Sequence, residues 1–544
     1  EDILGRGHKT VVYKWDGTTA YTTTEQFFNG RDQVTRTKQT DNTSTATPQT
    51  FREVTTTYDG HGRTKTRHYP IEDAEAKTTW DYNPDGSAKQ VTDPRGAVTD
   101  ITYNVLGSTT QIAYTPVSGL PDTPTVTFGY DDLGNRVSMD TAGVSEVTYA
   151  YDPLSRMTSE TVNFDDLANN LTIGYTYGLT GLKSITDPSG KEIEYAKDRA
   201  GRLTAVTGDA FGQNTTGTYA SGIEYRAFGQ VKQMDYNLSN GNSRIKLDYD
   251  NRLRVDHSEA TQAGSTTAFV LKADYEYLAD GRVAAKDDKL NDTWDRTNKY
   301  DFAGRLSFNQ FGLSGSKRVY EQNVDYNAFS EMYYRATTYW GANSTLNAAY
   351  LNGRKTGPQT PAPDYDAAGN LVFERTDDHN MQTTTYDAAG RRVAFRDRWR
   401  MSASASEETE TQFVFDGDGR PVVERGGSRT ISTPTPPAMV VATTGYQVWS
   451  SVLGSSLTSV NTSGEKVETK LFAGGTHIAT QYEMDPATTN DDQLKFVTAD
   501  PVTGSVANYS SSGASADIEE SEPLGQTVET SDPGSGYPTS YEDI

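Results

Sequence analysis

The chain has 544 residues, no cysteine and a formal net charge of −24. That charge disfavours nucleic-acid backbones and anionic membrane surfaces, both of which call for clustered Lys and Arg. Hydrophobic residues are only 34%, but 33 Tyr, 18 Phe and 6 Trp exclude a disordered chain, because disordered segments are poor in aromatics.

Abundant Tyr, Thr, Val and Gly suit strands and turns. No apolar run approaches the ~18 residues of a membrane span, so no membrane insertion is expected. Large extracellular eukaryotic proteins usually carry disulfides, so a cysteine-free chain points to a bacterial source. The chain opens Glu1-Asp2-Ile3, without Met or signal peptide, and reads as a fragment or processed product.

Residues 1–57 read as an N-terminal β segment continuous with the rest. Thr10-Val11-Val12-Tyr13-Lys14-Trp15 runs into Asp16-Gly17, a hairpin signal, and residues 40–50 read as a polar loop. From Tyr58 a short phrase recurs. Tyr58-Asp59 leads to Gly62-Arg63, Tyr130-Asp131 to Gly134, Tyr300-Asp301 to Gly304-Arg305, and Tyr386-Asp387 to Gly390-Arg391. Tyr ends a strand, Asp caps a tight turn, Gly supplies a positive φ, and Arg opens the returning strand. Ser155 stands in one glycine place, and Tyr195 to Gly201-Arg202 reads as a longer turn. Successive tyrosines are mostly about 20 to 30 residues apart, the spacing of repeat arrays.

Between turns the period is two. Leu171, Ile173, Tyr175 and Tyr177 share a face, as do Val147, Tyr149 and Tyr151, which means strands with one packed face. Thr92-Asp93-Pro94-Arg95-Gly96 and Thr186-Asp187-Pro188-Ser189-Gly190 mark the opposite junctions. Short helical turns are expected near 164–170. Residues 401–412 and 426–438 read as exposed loops. The expected division is therefore repeats over 58–425, further hairpins over 426–504, and a loosely held tail over 505–544.

The tandem phrase Tyr-Asp-x-x-Gly-Arg with intervening Asp-Pro-x-Gly resembles the YD or Rhs repeat of bacterial Rhs toxins, the C component of insecticidal toxin complexes, and teneurins. Phe472-Ala473-Gly474-Gly475, Asp500-Pro501-Val502-Thr503-Gly504 and Glu522-Pro523-Leu524-Gly525 resemble the region that follows the main repeats in Rhs proteins. The resemblance spans most of residues 50–530. It implies an all-β fold in which tandem hairpins form a long spiralling sheet that closes into a hollow barrel or shell. Sheet twist makes such a ribbon curl, and curling hides its edges. Rhs toxins usually carry a protease core and a toxin after the repeats. Neither pattern is found before Ile544, so self-cleavage and toxicity are not carried over.

No catalytic pattern emerges. His8, His61, His68, His257, His379 and His477 form no metal-binding motif, and no cofactor or metal is expected. Asp81-Tyr82-Asn83-Pro84-Asp85-Gly86 matches half of a calcium loop, but Thr92 stands where Glu is required. Asp416-Gly417-Asp418-Gly419 is similar. The Tyr, Asp, Gly and Arg of the repeat turns are read as structural. The expected function is a non-enzymatic shell, extracellular or on the bacterial surface, that encloses a polypeptide cargo such as a toxin from the same parent chain. The alternative is an adhesive module that binds a glycan or surface partner and assembles into fibres.

Overall fold

Alternating burial shows why these segments are strands. In Leu171–Gly178, Leu171, Ile173 and Tyr175 are buried while Thr172 and Thr176 face solvent. The computed structural model describes residues 4–47, 49–209, 217–314, 317–357, 361–375, 380–400, 406–431, 438–482, 493–504, 506–510, 516–521 and 527–528. Among them the architecture is all-β, apart from one short 3-10 turn at Asp292–Trp294.

Within each sheet, every strand pairs antiparallel with its chain neighbours. A 28-stranded meander runs from Lys9–Tyr13 to Ala342–Asn347. A separate hairpin, Ala349–Leu351 with Arg354–Thr356, follows. A 14-stranded meander then runs from Asp364–Tyr365 to Thr527–Val528. A meander places alternate turns on opposite edges. The Tyr-Asp turns lie on one edge, and Asp93–Ala97 and Asp187–Lys191 lie on the other.

The ribbon folds back on itself. Tyr21 Oη donates to the Tyr326 carbonyl at 2.8 Å, 305 residues away. The Ala388 N–H donates to Thr123 Oγ1 at 2.9 Å, 265 residues away. The Ser451 N–H donates to Glu160, 291 residues away. Residues 300–507 thus form a second winding against the first. At most of these contacts the Tyr-Asp turn edge of the second winding meets the far ends of first-winding strands. One large apolar core joins the windings, from Val126–Ile245 on one side to Val422–Ala507 on the other. A smaller cluster gathers Phe311, Val319, Tyr320, Tyr339 and Trp340.

Several local expectations need correction. Residues 401–412 and 426–438 are not simply loops, because Ser406–Phe415 and Pro421–Ile431 are long paired strands. Their acids are matched across strands: Arg396 Nε donates to Glu410 at 2.9 Å and Arg429 Nε to Glu408 at 2.5 Å. Residues 401–405 and 432–437 lie outside the described residues. No helix forms near 164–170, where Leu167 packs into the core as part of a hairpin turn. The turn at Asp198–Arg202 has ordinary length, with Lys197 in the tyrosine place and Tyr195 two residues upstream. Within 505–544, Val506–Ser510 and Ala516–Ser521 are paired strands, whereas Glu522–Gly525 lies outside the described residues. No helix among the described residues is long and apolar enough to cross a membrane.

Candidate functional site: the repeat turn and the seam

Each Tyr-Asp turn is a five-residue loop closed from both ends. At Tyr58, the Asp59 N–H donates to the Arg63 carbonyl at 2.9 Å, and the Gly62 N–H to the Asp59 carbonyl at 3.0 Å. Asp59 Oδ1 accepts from the backbone N–H of His61 and of Arg63, and Oδ2 from Arg63 Nε at 2.7 Å. Desolvation pushes this carboxyl up, but the hydrogen bonds from Arg63 and His61 outweigh it and hold the group at about 2. Gly62 sits at φ +85°, beyond easy reach of a side chain.

The other turns follow the same plan with substitutions. Asp301 accepts from Ala303 and Arg305, and Gly304 has φ +85°. Asp387 accepts from the Arg391 N–H and Nε, and Gly390 has φ +77°. At Tyr130, Asp131 accepts from Leu133 and Asn135, and Gly134 has φ +83°. There the Asn135 amide replaces the arginine at 2.8 Å. An earlier turn, Asn29–Gln33, has the same geometry without Tyr or the usual Gly.

Two functions of the phrase are not legible from one copy. The tyrosine hydroxyl reaches back to the preceding repeat: Tyr58 to Val34, Tyr130 to Thr109 and Tyr300 to Val283, at 2.8–2.9 Å to backbone carbonyls. The arginine reaches forward. Arg63 lies 4.5 Å from the Tyr82 ring centroid, Arg305 4.7 Å from Tyr326, and Arg391 4.9 Å from Phe415. Each repeat is thus pinned to its neighbours by a hydrogen bond and a cation–π contact. The signal in the sequence is the fixed Tyr-to-Arg spacing.

The seam between windings is lined with ion pairs. Arg52 pairs with Glu331 at 2.7 Å, Arg354 with Asp73 at 2.9 Å, and Arg136 with Asp418 at 2.7 Å. Buried Lys466 pairs with buried Asp187 at 3.0 Å, and Lys286 faces Asp500 at 3.5 Å. Glu160 is buried beside Tyr175, Ser450 and Ser451. Desolvation pushes its carboxyl above the usual range, against the hydrogen bonds from Tyr175 and Ser451. Periodicity could not find these residues, because their partners lie far along the chain.

The calcium-like loops are otherwise engaged. Asp85 bonds to Ser87 at 2.7 Å, and Asp418 grips Arg136. No cluster among the described residues groups three or more metal-ligating side chains. His61 lies in a turn, and His68 Nδ1 meets the Ala76 carbonyl at 2.7 Å. His257 meets Asp274 at 2.5 Å and His477 meets Thr480 at 2.9 Å. His379 lies outside the described residues.

These features define a class: an all-β repeat protein built from Tyr-Asp hairpins wound back on themselves. The Teneurin YD-shell family matches residues 20–208. The fold is similar to that of a Photorhabdus luminescens Tc holotoxin pore carrying the TccC3 D651A mutation, at 15% identity and a TM-score of 0.67, over 93% of this chain and 27% of that one. It is also similar to TcdB2-TccC3, at 15% identity and a TM-score of 0.61, over 93% and 28%. No curated protein matches the sequence. The chain thus resembles Rhs/YD-repeat proteins in sequence over residues 20–208 and in fold over most of its length, and it spans little more than a quarter of the length of the structures it resembles.

Proposed function

We propose that this chain is the non-enzymatic wall of an extracellular or surface-exposed shell that closes into a hollow barrel around a polypeptide cargo. The observation that carries this reading is the winding: a single ribbon is hydrogen-bonded to itself at separations of 265 to 305 residues between Tyr21 and Asp187. A ribbon that meets itself at a near-constant interval makes a coil, and a coil of sheet encloses space.

The likeness to Tc toxin structures agrees with this reading. In this reading the turn residues hold the wall and carry no chemistry.

Small-angle X-ray scattering tests enclosure. A hollow particle is expected, with a radius of gyration clearly above the roughly 24 Å of a solid domain of this length. A filled globule near that value overturns the shell. Limited proteolysis of the full parent chain tests the cargo. A segment outside these residues is expected to resist protease until the shell is unfolded, and immediate digestion overturns encapsulation.

A further inference from the structure

The two windings are joined by two different kinds of seam. Downstream, Val126–Ile245 and Val422–Ala507 share the large apolar core. Phe164 packs on Tyr446 at 4.8 Å, and Tyr236 on Phe496 at 5.9 Å. Upstream, between Tyr21–Thr123 and Tyr326–Ala388, the contacts are mostly polar. Gln39 donates to the Ala328 carbonyl at 3.3 Å, Arg52 pairs with Glu331, and Ala388 bonds to Thr123.

The upstream seam has one interlock. The loop after Thr64–His68 pushes Ile71 against Gly353 and Gly369, where an added Cβ would meet the Ile71 side chain. Arg354 Nε donates to the Ile71 carbonyl at 2.7 Å, and its other end pairs with Asp73. The Asp73 N–H donates to the Ala367 carbonyl at 3.0 Å. The interlock sits beside the small hairpin of Arg354–Thr356, whose main-chain ladder is separate from both large sheets. Hairpin and second sheet are tied instead by side chains: the Lys355 N–H donates to Tyr365 Oη at 2.8 Å, and Lys355 Nζ pairs with Glu374.

We infer that the upstream polar seam is the opening line of the coil, latched by Ile71, Asp73 and Arg354, while the apolar seam stays shut. Local opening follows regions with few buried apolar contacts. Polar contacts that part are rehydrated, whereas a parted apolar core exposes its surface to water at a cost proportional to area. The windings therefore separate first where hydrogen bonds and ion pairs hold them. The inference rests on the shell reading only for its purpose, the passage of an enclosed chain.

Because the protein lacks cysteine, single buried alanines can report opening by thiol labelling. Ala328 and Ala388 lie at the polar seam, and Ala220 and Ala479 lie in the apolar core. Ala328→Cys and Ala388→Cys are expected to label about a hundredfold faster than Ala220→Cys and Ala479→Cys under native conditions. Arg354→Gln is expected to speed labelling at both polar-seam positions and leave both core positions unchanged. Equal rates at all four sites, set by global unfolding, overturn the inference. Faster labelling confined to one turn, with no response to Arg354→Gln, also overturns it, since that is hairpin fraying. Scattering decides enclosure separately, so a solid particle with fast polar-seam labelling refutes the shell and not the opening.

Discussion

Lys466 donates from Nζ to Oδ2 of Asp187 at 3.0 Å, across 279 residues of chain, with both side chains buried. The same Nζ reaches Gln481 Oε1 at 2.7 Å. Asp187 also caps the Asp-Pro turn, because its Oδ1 accepts from the N–H of Ser189 and of Lys191. One carboxylate therefore shapes a first-winding turn and fastens the second winding to it.

That double use predicts an asymmetric cost. Lys466→Met leaves a buried carboxylate without its cation, and breaking such a pair costs about 3–5 kcal/mol. The turn bonds retained by Asp187 bring the expected loss toward the lower end. Asp187→Asn keeps the turn acceptor and leaves the buried ammonium unpaired. Urea denaturation should show both variants destabilised, with Lys466→Met retaining native strand content by circular dichroism. A Lys466→Met midpoint equal to that of the parent rejects the seam contact.

The glycine place in the turn offers a two-way test. Leu253 occupies it with φ +65°, and Ser155 and Ser330 do likewise with φ +58° and +66°. Holding a non-glycine residue there costs about 1–2 kcal/mol. Leu253→Gly, at an exposed side chain, is therefore expected to raise stability by about 1 kcal/mol. Gly390→Val, at φ +77° with a β-branched side chain, is expected to lower it by more. Thermal unfolding of the two variants should move in opposite directions, and a shift in one common direction refutes the turn assignment.

The tyrosine-to-arginine chain along the edge predicts small, separable losses. Tyr277 Oη donates to the Val255 carbonyl at 2.6 Å, while Arg254 lies 4.2 Å from the Tyr277 centroid. Tyr277→Phe removes only the hydrogen bond, worth about 1 kcal/mol. Phe415 shows that a ring without the hydroxyl still takes the arginine stack. Arg254→Met removes the stack and the pair to Asp250 at 2.5 Å. A double-mutant cycle of Arg254→Met with Tyr277→Leu, which removes the ring itself, should give a coupling of about 0.5–1 kcal/mol. Strict additivity shows that the stack contributes nothing.

The local plan is readable because its signals are local. Asp59, Gly62 and Arg63 interact within five residues, so spacing in the chain reports their geometry directly. Alternation in Leu171–Gly178 exposes the packed face for the same reason. The Asn29–Gln33 turn escapes notice because Phe28 and Asp32 stand in the tyrosine and glycine places. The stretch 406–412 reads as a loop because Glu408 and Glu410, polar by composition, are buried against Arg429 and Arg396. The seam is unreadable on physical grounds. Glu160 meets Ser451, and Arg136 meets Asp418, only because sheet curvature sums over more than twenty strands.

Glu160 and the turn aspartates predict opposite responses to pH. The folded value for Asp59, and for Asp280 beside Arg282, is about 2, below the roughly 3.9 of a free aspartate. Their contribution is present above the unfolded value and is lost as pH falls from about 4 toward 2. Glu160 has a folded value above the roughly 4.3 of a free glutamate, because burial disfavours its charge. Its contribution is therefore present below the unfolded value and lost as pH rises through the folded one. Glu160 faces Tyr175, Ser450 and Ser451, with Tyr149 and Arg420 lining the same cavity of about 20 Å³, room for one water. Glu160→Gln keeps Oε1 to accept from Tyr175 and Ser451, and it cannot ionise. The variant is expected to equal or exceed the parent in melting temperature at pH 8, to lose the decline that Glu160 causes as pH rises through its raised folded value, and to keep the acid limb set by Asp59 and Asp280. Calorimetry at pH 2.5, 5 and 8 makes the comparison. A Glu160→Gln protein that is less stable than the parent at pH 8 but equal to it at pH 5 shows that the ionised carboxylate stabilises the seam, and rejects this account.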